Sequence, residues 1–597
     1  MVVAAAVTAL VVNVLVAAAK LNAGDLLTRG VGPVWAGVMV LIAVTAHLVQ
    51  RRSSSVVGTR IGVALLAGAA VAIVTVPLTV GLHGTGQPPN TILHGDMAFR
   101  TEYVTRFAAT WHLDDYTFRG LEAFYPPAWF WLAGRSAHVL GITPWHIVKP
   151  FTILTIGAAL GVSFLLWRTM LRPAGALSAA IGSSLVLPPQ IGHLDFSTQA
   201  WYSPYSCFVA VTGIAWLAAT LHAVSGPASR RRLGVLAVVG AVLALTYYLL
   251  FVILVVVLVA LALLPSAVPR AARLRRVGAL CGVIVVLTAI FWVPLIAALV
   301  HGGASQGQFV RPDFLTVSVG ISRPLALAIL AVVALTVLVL TSAAQASRAV
   351  VGLLAGAVIY QLISVTTLVF AHNQLQPHRA VTMLWATYGA AVPVAFEALQ
   401  GRNTVVKLGD PALRRVVATL AVAVAVPAIF VLGSNQGADL AAGPYSVAAH
   451  EAPALGQVDA MSNFITSTSG KRPQQLLVAT SKPALLVTRP YYGFLPLRAR
   501  YAHPEAHLDQ RIAVMRAAAA CPDAACADRV LSTSRFGRLD ALVMARTFGS
   551  YRLETEADNF PEPTRVTILF RRNLFPPSIW MRRDIGGYAV LVRRPAA

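Results

Sequence analysis

The densest run of side chains able to do chemistry is His94-Gly-Asp96-Met-Ala-Phe-Arg100-Thr-Glu102-Tyr103-Val-Thr-Arg106. Trp111-His112-Leu-Asp114-Asp115 follows, and then Phe124-Tyr125-Pro126-Pro127-Ala-Trp129-Phe-Trp131. A hydroxyl is too weak an acid to lose its proton in advance, so a carboxylate that activates one must hold it in line and accept the proton as the new bond forms. Arginine suits the opposite end of such a reaction, where a departing phosphate gains charge. Asp96 and Glu102 are therefore the candidate bases, and Arg100 and Arg106 the candidate partners of an anion. A simpler reading competes: Asp96 and Arg100 are four apart, as are Glu102 and Arg106, and on an exposed helix each would form an ion pair worth under ~1 kcal/mol. Asp114 and Asp115 read as a solvated turn or a helix start.

Two other polar segments could face the same chemistry. Residues 190–204 carry His193, Asp195, Gln199, Trp201 and Tyr202, and residues 371–379 carry His372, Asn373, Gln374, Gln376, His378 and Arg379. Uncharged hydrogen-bonding groups beside aromatic rings suit a sugar, whose hydroxyls need partners and whose C–H faces accept rings. Tyr103, Tyr125, Trp129, His193, Asp195 and Gln374 are the candidate sugar contacts, while His378 and Arg379 join the candidates for a phosphate. Interfacial enrichment of Tyr and Trp accounts for most of the aromatic residues without a ligand, and a single loop histidine is usually a hydrogen-bonded surface residue. No HExxH or similar spacing supports a metal. No metal ligand and no cofactor is assigned, and a divalent cation finds no support in the sequence.

The elements that must position these residues are membrane spans. Of 597 residues 57% are apolar and 12% charged, with mean hydropathy +0.71, a balance that excludes soluble globular and disordered classes. A span needs roughly 20 apolar residues at 1.5 Å each. Thirteen segments qualify, near 1–19, 33–50, 59–82, 146–168, 174–189, 205–223, 232–246, 249–264, 276–300, 324–342, 349–370, 380–400 and 413–432. The run 233–264 is read as a hairpin bent near Tyr247–Tyr248, because one span would put Arg270, Arg273, Arg275 and Arg276 opposite every other Arg-rich loop. The formal charge of +24 follows this topology, with the N-terminus inside, the first segment a retained span, and the loop 83–145 and the C-terminus outside.

The expected fold is a polytopic α-helical membrane protein with a C-terminal extracytoplasmic α/β domain. Residues 1–432 form the transmembrane core with its outer loop 83–145, and residues 433–597 the soluble domain that binds acceptor. In the latter, 505–520 reads as helix and Leu476–Thr480, Leu539–Ala545, Val566–Phe570 and Tyr588–Val592 as strands. Cys207 and Cys281 lie in apolar spans as packing residues. Cys521 and Cys526 are spaced for a disulfide that an oxidising compartment would permit, and equally for two free thiols.

GDMAFRTEYVTRF and FYPPAWFW, within a many-span core followed by an outer domain, resemble the AftA family of galactan 5-O-arabinofuranosyltransferases, membrane enzymes of the polyprenyl-dependent GT-C type. The resemblance covers most of the chain. It implies a decaprenylphosphoryl arabinofuranose donor, a cell-wall galactan acceptor and an acidic base in the first large outer loop, which makes Asp96 the first choice and Glu102 the alternative or partner. Another polyprenyl-phosphate-sugar transferase is the near alternative. A lipid-linked sugar transporter would need ionisable groups at mid-span, of which the sequence has few. A scaffolding protein would leave the loop acids dispensable.

Overall fold

The structure is a computed structural model, which describes residues 2–19, 26–83, 95–186, 203–227, 229–300, 325–341, 344–371, 375, 377–400, 411–442, 453–558 and 564–595. It divides into two compact units, one of Met1–Thr85, Lys149–Ala289 and Pro312–Ser446, the other of Gly86–Val148, Ile290–Arg311 and Val447–Ala597.

The first unit is helical. Its helices are α1 (Val2–Ala18), α2 (Leu26–Arg52), α3 (Val56–Ile73), α4 (Val76–Leu82), then α7 (Val148–Trp167) and α8 (Pro173–Leu185). They continue with α9 (Pro204–Ser225), α10 (Arg230–Thr246), α11 (Tyr248–Leu263), α12 (Arg270–Val300), α13 (Leu325–Leu340), α14 (Gln345–Ala371), α15 (Pro377–Gln400) and α16 (Pro411–Ala442). All thirteen sequence segments fall on helices, and 59–82 is shared by α3 and α4. The break at Tyr247 lies where the charge argument placed it. Among the described residues seven helices are long and apolar enough to cross a membrane, and three shorter apolar stretches lie at Ala5–Ala18, Tyr248–Leu263 and Ala328–Leu338. Leu10, Leu15, Leu41, Leu65, Val256 and Ile363 point outward, an apolar exterior that lipid accepts and water does not. The protein is a multi-pass membrane protein. Small residues let its backbones close up: a Cβ on Gly182 of α8 would lie 2.1 Å from the carbonyl oxygen of Gly389 in α15.

The second unit joins the loop to the C-terminal segment. The loop contributes α5 (Gly95–Ala109) and α6 (Ala128–Leu140); the C-terminal segment contributes α17 (Pro453–Ser469), α18 (Ala484–Thr488), α19 (Leu508–Ala520) and α20 (Ala524–Ser532). Its strands are β1 (Leu477–Thr480), β2 (Tyr492–Gly493), β3 (Ala541–Arg546), β4 (Ser550–Asp558), β5 (Thr564–Arg571), β6 (Trp580–Ile585) and β7 (Tyr588–Arg593). They form one mixed sheet in which β1 pairs parallel with β2 and β3, while β7 pairs antiparallel with β3 and β6. Alternate residues serve opposite faces. Leu477, Leu542 and Leu591 pack with Ile512 and Met515 of α19 and with Phe118 of the loop. Val478, Val543 and Val590 pack with Val458, Met461 and Ile465 of α17. The four strands and the helix read from the sequence are present, and β2, β4 and β6 are added to them. Cys521 and Cys526 are joined in a disulfide.

Helix α16 runs on past residue 432 to Ala442. From Gly86 onward the loop 83–145 groups with the C-terminal segment. Hydrogen bonds explain why: Thr105 donates to the Val487 carbonyl at 2.8 Å, Tyr116 to the Tyr501 carbonyl at 2.6 Å, and the Gly493 amide to the Thr117 carbonyl at 2.7 Å.

Candidate active site

Helix α5 begins with Asp96 in its first turn and carries Arg106 in its last, charges that complement the helix dipole at both ends. It is not a surface helix. Every residue from Met97 to Ala108 is buried, covered in part by α6, where a Cβ on Gly134 would lie 2.7 Å from the Phe107 carbonyl carbon. α6 follows Pro127, ends at Gly141 in the left-handed region (φ 64°), and leaves Leu132, Val139 and Leu140 exposed. It is a short amphipathic helix that follows the Tyr125-Pro126-Pro127 segment.

Asp96 is the α5 acid that reaches solvent, with its side chain 26% exposed. Arg100 Nη2 donates to Asp96 Oδ2 at 3.1 Å. Asp96 Oδ1 accepts from Arg500 Nη2 at 3.2 Å and from the Tyr501 hydroxyl. Arg500 Nη2 also donates to Tyr501 Oη at 2.7 Å. Burial works against the Arg500 charge, yet Tyr501 and Asp96 more than offset it and raise the group above its ordinary value. Burial, reinforced by the Asp96 charge, drives the Tyr501 phenol well upward, so it stays protonated and donates. The Asp96–Arg100 pair was legible from its spacing. Arg500 and Tyr501 were not, since they lie some four hundred residues further along the chain.

The other acids sit elsewhere. Glu102 is 1% exposed and accepts from the Thr117 hydroxyl at 2.9 Å; burial pushes its carboxyl up to about 8. It faces the interior. The expected surface pairing of Glu102 with Arg106 does not form among the described contacts, because both side chains are buried and Arg106 is engaged otherwise. Its Nε and Nη2 each donate to the Tyr116 carbonyl at 3.3 Å, Nη1 to that of Pro490 at 3.1 Å and Nη2 to that of Tyr491 at 2.6 Å. The guanidinium also lies 3.8 Å from the Tyr492 ring centroid. Arg106 is thus a strut between the loop and the C-terminal segment, and Arg100 is turned toward Asp96. Asp115 caps a turn, accepting from the amides of Thr117 at 2.9 Å and Phe118 at 2.6 Å, and burial raises it to about 7.

Among the aromatic candidates, Tyr103 is fully buried, donates to the Tyr125 carbonyl at 2.9 Å and packs on Phe107, Tyr116 and Phe130. Trp129 is buried against Phe130. Tyr125 is half-buried, edge-on to Phe99 at 5.3 Å. Of these three, Tyr125 alone retains a surface for a ligand. In the first unit, Arg379 is buried in the first turn of α15 and donates from Nη1 to Ser203 Oγ at 2.8 Å. His193, Asp195 and Gln374 lie outside the described residues, as does the side chain of His378.

A multi-pass helical core combined with a unit that holds one partly exposed carboxylate fits a membrane group-transfer enzyme. The family described as Arabinofuranosyltransferase N terminal matches residues 1–431, and that described as Arabinofuranosyltransferase A C terminal matches residues 443–593. The chain belongs to this arabinofuranosyltransferase A family, and it is an arabinofuranosyltransferase. It is similar to the galactan 5-O-arabinofuranosyltransferases of Mycobacterium tuberculosis H37Rv (27% identity, 84% of this chain and 80% of that one) and Mycobacterium leprae (27%, 84% and 83%). That of Mycolicibacterium smegmatis is 29% identical over 70% of this chain and 69% of its own. Solved structures similar to it include ArnT from Cupriavidus metallidurans in the apo state (TM-score 0.47, 14% identity, 80% of this chain and 94% of that one). Another is the mycobacterial arabinofuranosyltransferase AftD (TM-score 0.44, 13% identity, 89% and 40%).

Proposed function

We propose that the protein transfers arabinofuranose from a polyprenyl-phosphate donor, decaprenylphosphoryl arabinofuranose, to cell-wall galactan at the outer face of the plasma membrane. The relatives' shared activity on galactan supports the acceptor. The observation that carries the mechanism is Asp96, a carboxylate at the head of α5 that is partly exposed and, among the described residues, accepts from Arg100, Arg500 and Tyr501. In the reaction an acceptor hydroxyl oxygen bonds to the anomeric carbon of the donor. The bond from that carbon to the phosphate oxygen breaks, and the polyprenyl phosphate leaves with the electron pair. The hydroxyl proton passes to Asp96 as the bond forms. The departing phosphate needs cations. Arg379 is the candidate that the sequence offers for that part. The C-terminal domain would lie outside the membrane with the loop, where the Cys521–Cys526 disulfide is compatible with the redox conditions.

The test is product formation by the purified full chain in lipid nanodiscs, supplied with the lipid-linked arabinose and a galactan oligosaccharide. Asp96→Asn is expected to abolish transfer while the protein still folds and inserts. Turnover at the unaltered rate would refute Asp96 as the base.

A further inference from the structure

We propose that Arg500 and Tyr501 are positioning residues of the transfer reaction, so that the C-terminal segment sets the orientation of the Asp96 carboxylate. The proposal rests on the reading of Asp96 as general base.

The three side chains form a directed chain of donors. Arg500 Nη2 donates to Tyr501 Oη at 2.7 Å, the Tyr501 hydroxyl donates to Asp96 Oδ1, and Arg500 Nη2 reaches the same oxygen at 3.2 Å. A phenol that accepts from a guanidinium is a stronger donor to the carboxylate beyond it. Tyr501 is itself fixed at several points. Its carbonyl accepts from the Tyr116 hydroxyl at 2.6 Å, its ring packs 4.5 Å from that of Phe99, and the Arg500 guanidinium lies 4.7 Å from its centroid. Both residues sit in the 3₁₀ turn Ala499–Tyr501, whose first amide is held by Glu556 at 3.3 Å. A carboxylate whose Oδ1 is bound to a rigid turn and whose Oδ2 is bound to Arg100 has its side-chain torsions fixed.

A merely structural pair would need less. Arg100 already gives Asp96 an ion pair within its own helix. Arg500 adds a second guanidinium at a site where both arginine side chains are largely buried, 3% and 16% exposed. Among the described contacts, Arg100 from α5 and Arg500 and Tyr501 from the turn face the carboxylate, and Glu556 acts on Arg500. Donors on both carboxylate oxygens hold Asp96 in one orientation. This arrangement makes the base and its holder products of two segments far apart in the sequence, and gives the C-terminal segment a part in the chemistry beyond acceptor binding.

The experiment measures kcat, acceptor KM and the pH dependence of kcat for full-length Tyr501→Phe, Arg500→Gln and Arg500→Lys, with Asp96→Asn alongside. Tyr501→Phe keeps the ring and its packing on Phe99, so a loss of turnover reports the hydroxyl. Misplacing a reacting group by about 1 Å costs about 100-fold, and Arg500→Gln is expected to lower kcat by that order, Tyr501→Phe by about 10-fold, with KM little changed. Arg500→Lys should restore part of the rate. The acid limb of the Tyr501→Phe profile should move to higher pH, because a donor to the ionised carboxylate has gone. Unaltered kcat and pH limb in Tyr501→Phe and Arg500→Gln, together with an inactive Asp96→Asn, would overturn the positioning role and leave the base assignment standing. An active Asp96→Asn would instead remove the base assignment itself. A fall in rate matched by an equal fall in the folded fraction, with the pH limb unmoved, would also overturn the proposal.

Discussion

Arg106 separates a phosphate-binding role from a structural one. Its guanidinium reaches three backbone carbonyls, those of Tyr116, Pro490 and Tyr491, and lies over the Tyr492 ring with only 1% of the residue exposed. Truncation to alanine strands the three carbonyls and removes the ring contact. At about 1 kcal/mol for each buried acceptor left unpaired, the low end of the range, the carbonyls cost about 3 kcal/mol. The desolvated cation–π contact adds about 1 to 2 kcal/mol. For a unit of this size each kcal/mol moves the melting temperature by about 2 to 4 °C, so Arg106→Ala should melt about 10 °C lower, and Arg106→Lys should be intermediate, since one ammonium cannot span three carbonyls. The assay is intrinsic-fluorescence melting of the purified protein, paired with donor KM measured below the transition. The strut reading requires a lowered melting temperature with donor KM unchanged. A variant that melts normally but has a raised donor KM would refute it and return Arg106 to the anion site.

Other outcomes follow from the same geometry. Glu102 is held at about 8 in the folded protein against an ordinary 4.5, so the folded state keeps a proton that the unfolded state has lost. Its contribution to stability therefore falls as pH rises from about 4.5 to about 8. Glu102→Gln, which retains an acceptor for Thr117, should flatten that part of the melting-temperature profile; an unaltered slope would show that Glu102 does not titrate there. Cys521 and Cys526 close a loop with a sequence separation of 5, worth about 2 kcal/mol by chain entropy. The double serine variant should melt several degrees lower yet transfer sugar normally, and an unchanged melting temperature would count against the bond. Arg379→Ala should raise donor KM while sparing acceptor KM, and identical donor dependence would take Arg379 out of phosphate binding.

What could be read from the residues was what depends on local spacing and on charge. The break at Tyr247 came from balancing arginines across the membrane, and α10 and α11 meet there. The Asp96–Arg100 pair came from a separation of four and forms at 3.1 Å. The error over Glu102 and Arg106 has the same origin, since the same separation suggested a surface pair. α5 mixes Phe99, Tyr103 and Phe107 with Thr101, Glu102, Thr105 and Arg106 around its circumference, so no apolar stripe marks a buried face, although all seven are buried.

A helix of that composition can be buried only if something distant satisfies its polar groups. The C-terminal segment does so, through carbonyls at Val487, Pro490 and Tyr491 that carry no side-chain signature. Backbone acceptors are the same for every residue type, which is why neither the partnership of loop and C-terminal segment nor the boundary between the units was visible in the amino-acid order. Arg500 and Tyr501 do have distinctive side chains, but in Arg498-Ala-Arg500-Tyr501 they are two more basic and aromatic residues in a chain with 47 lysines and arginines. Only the fold, by setting them against Asp96, distinguishes them from the rest.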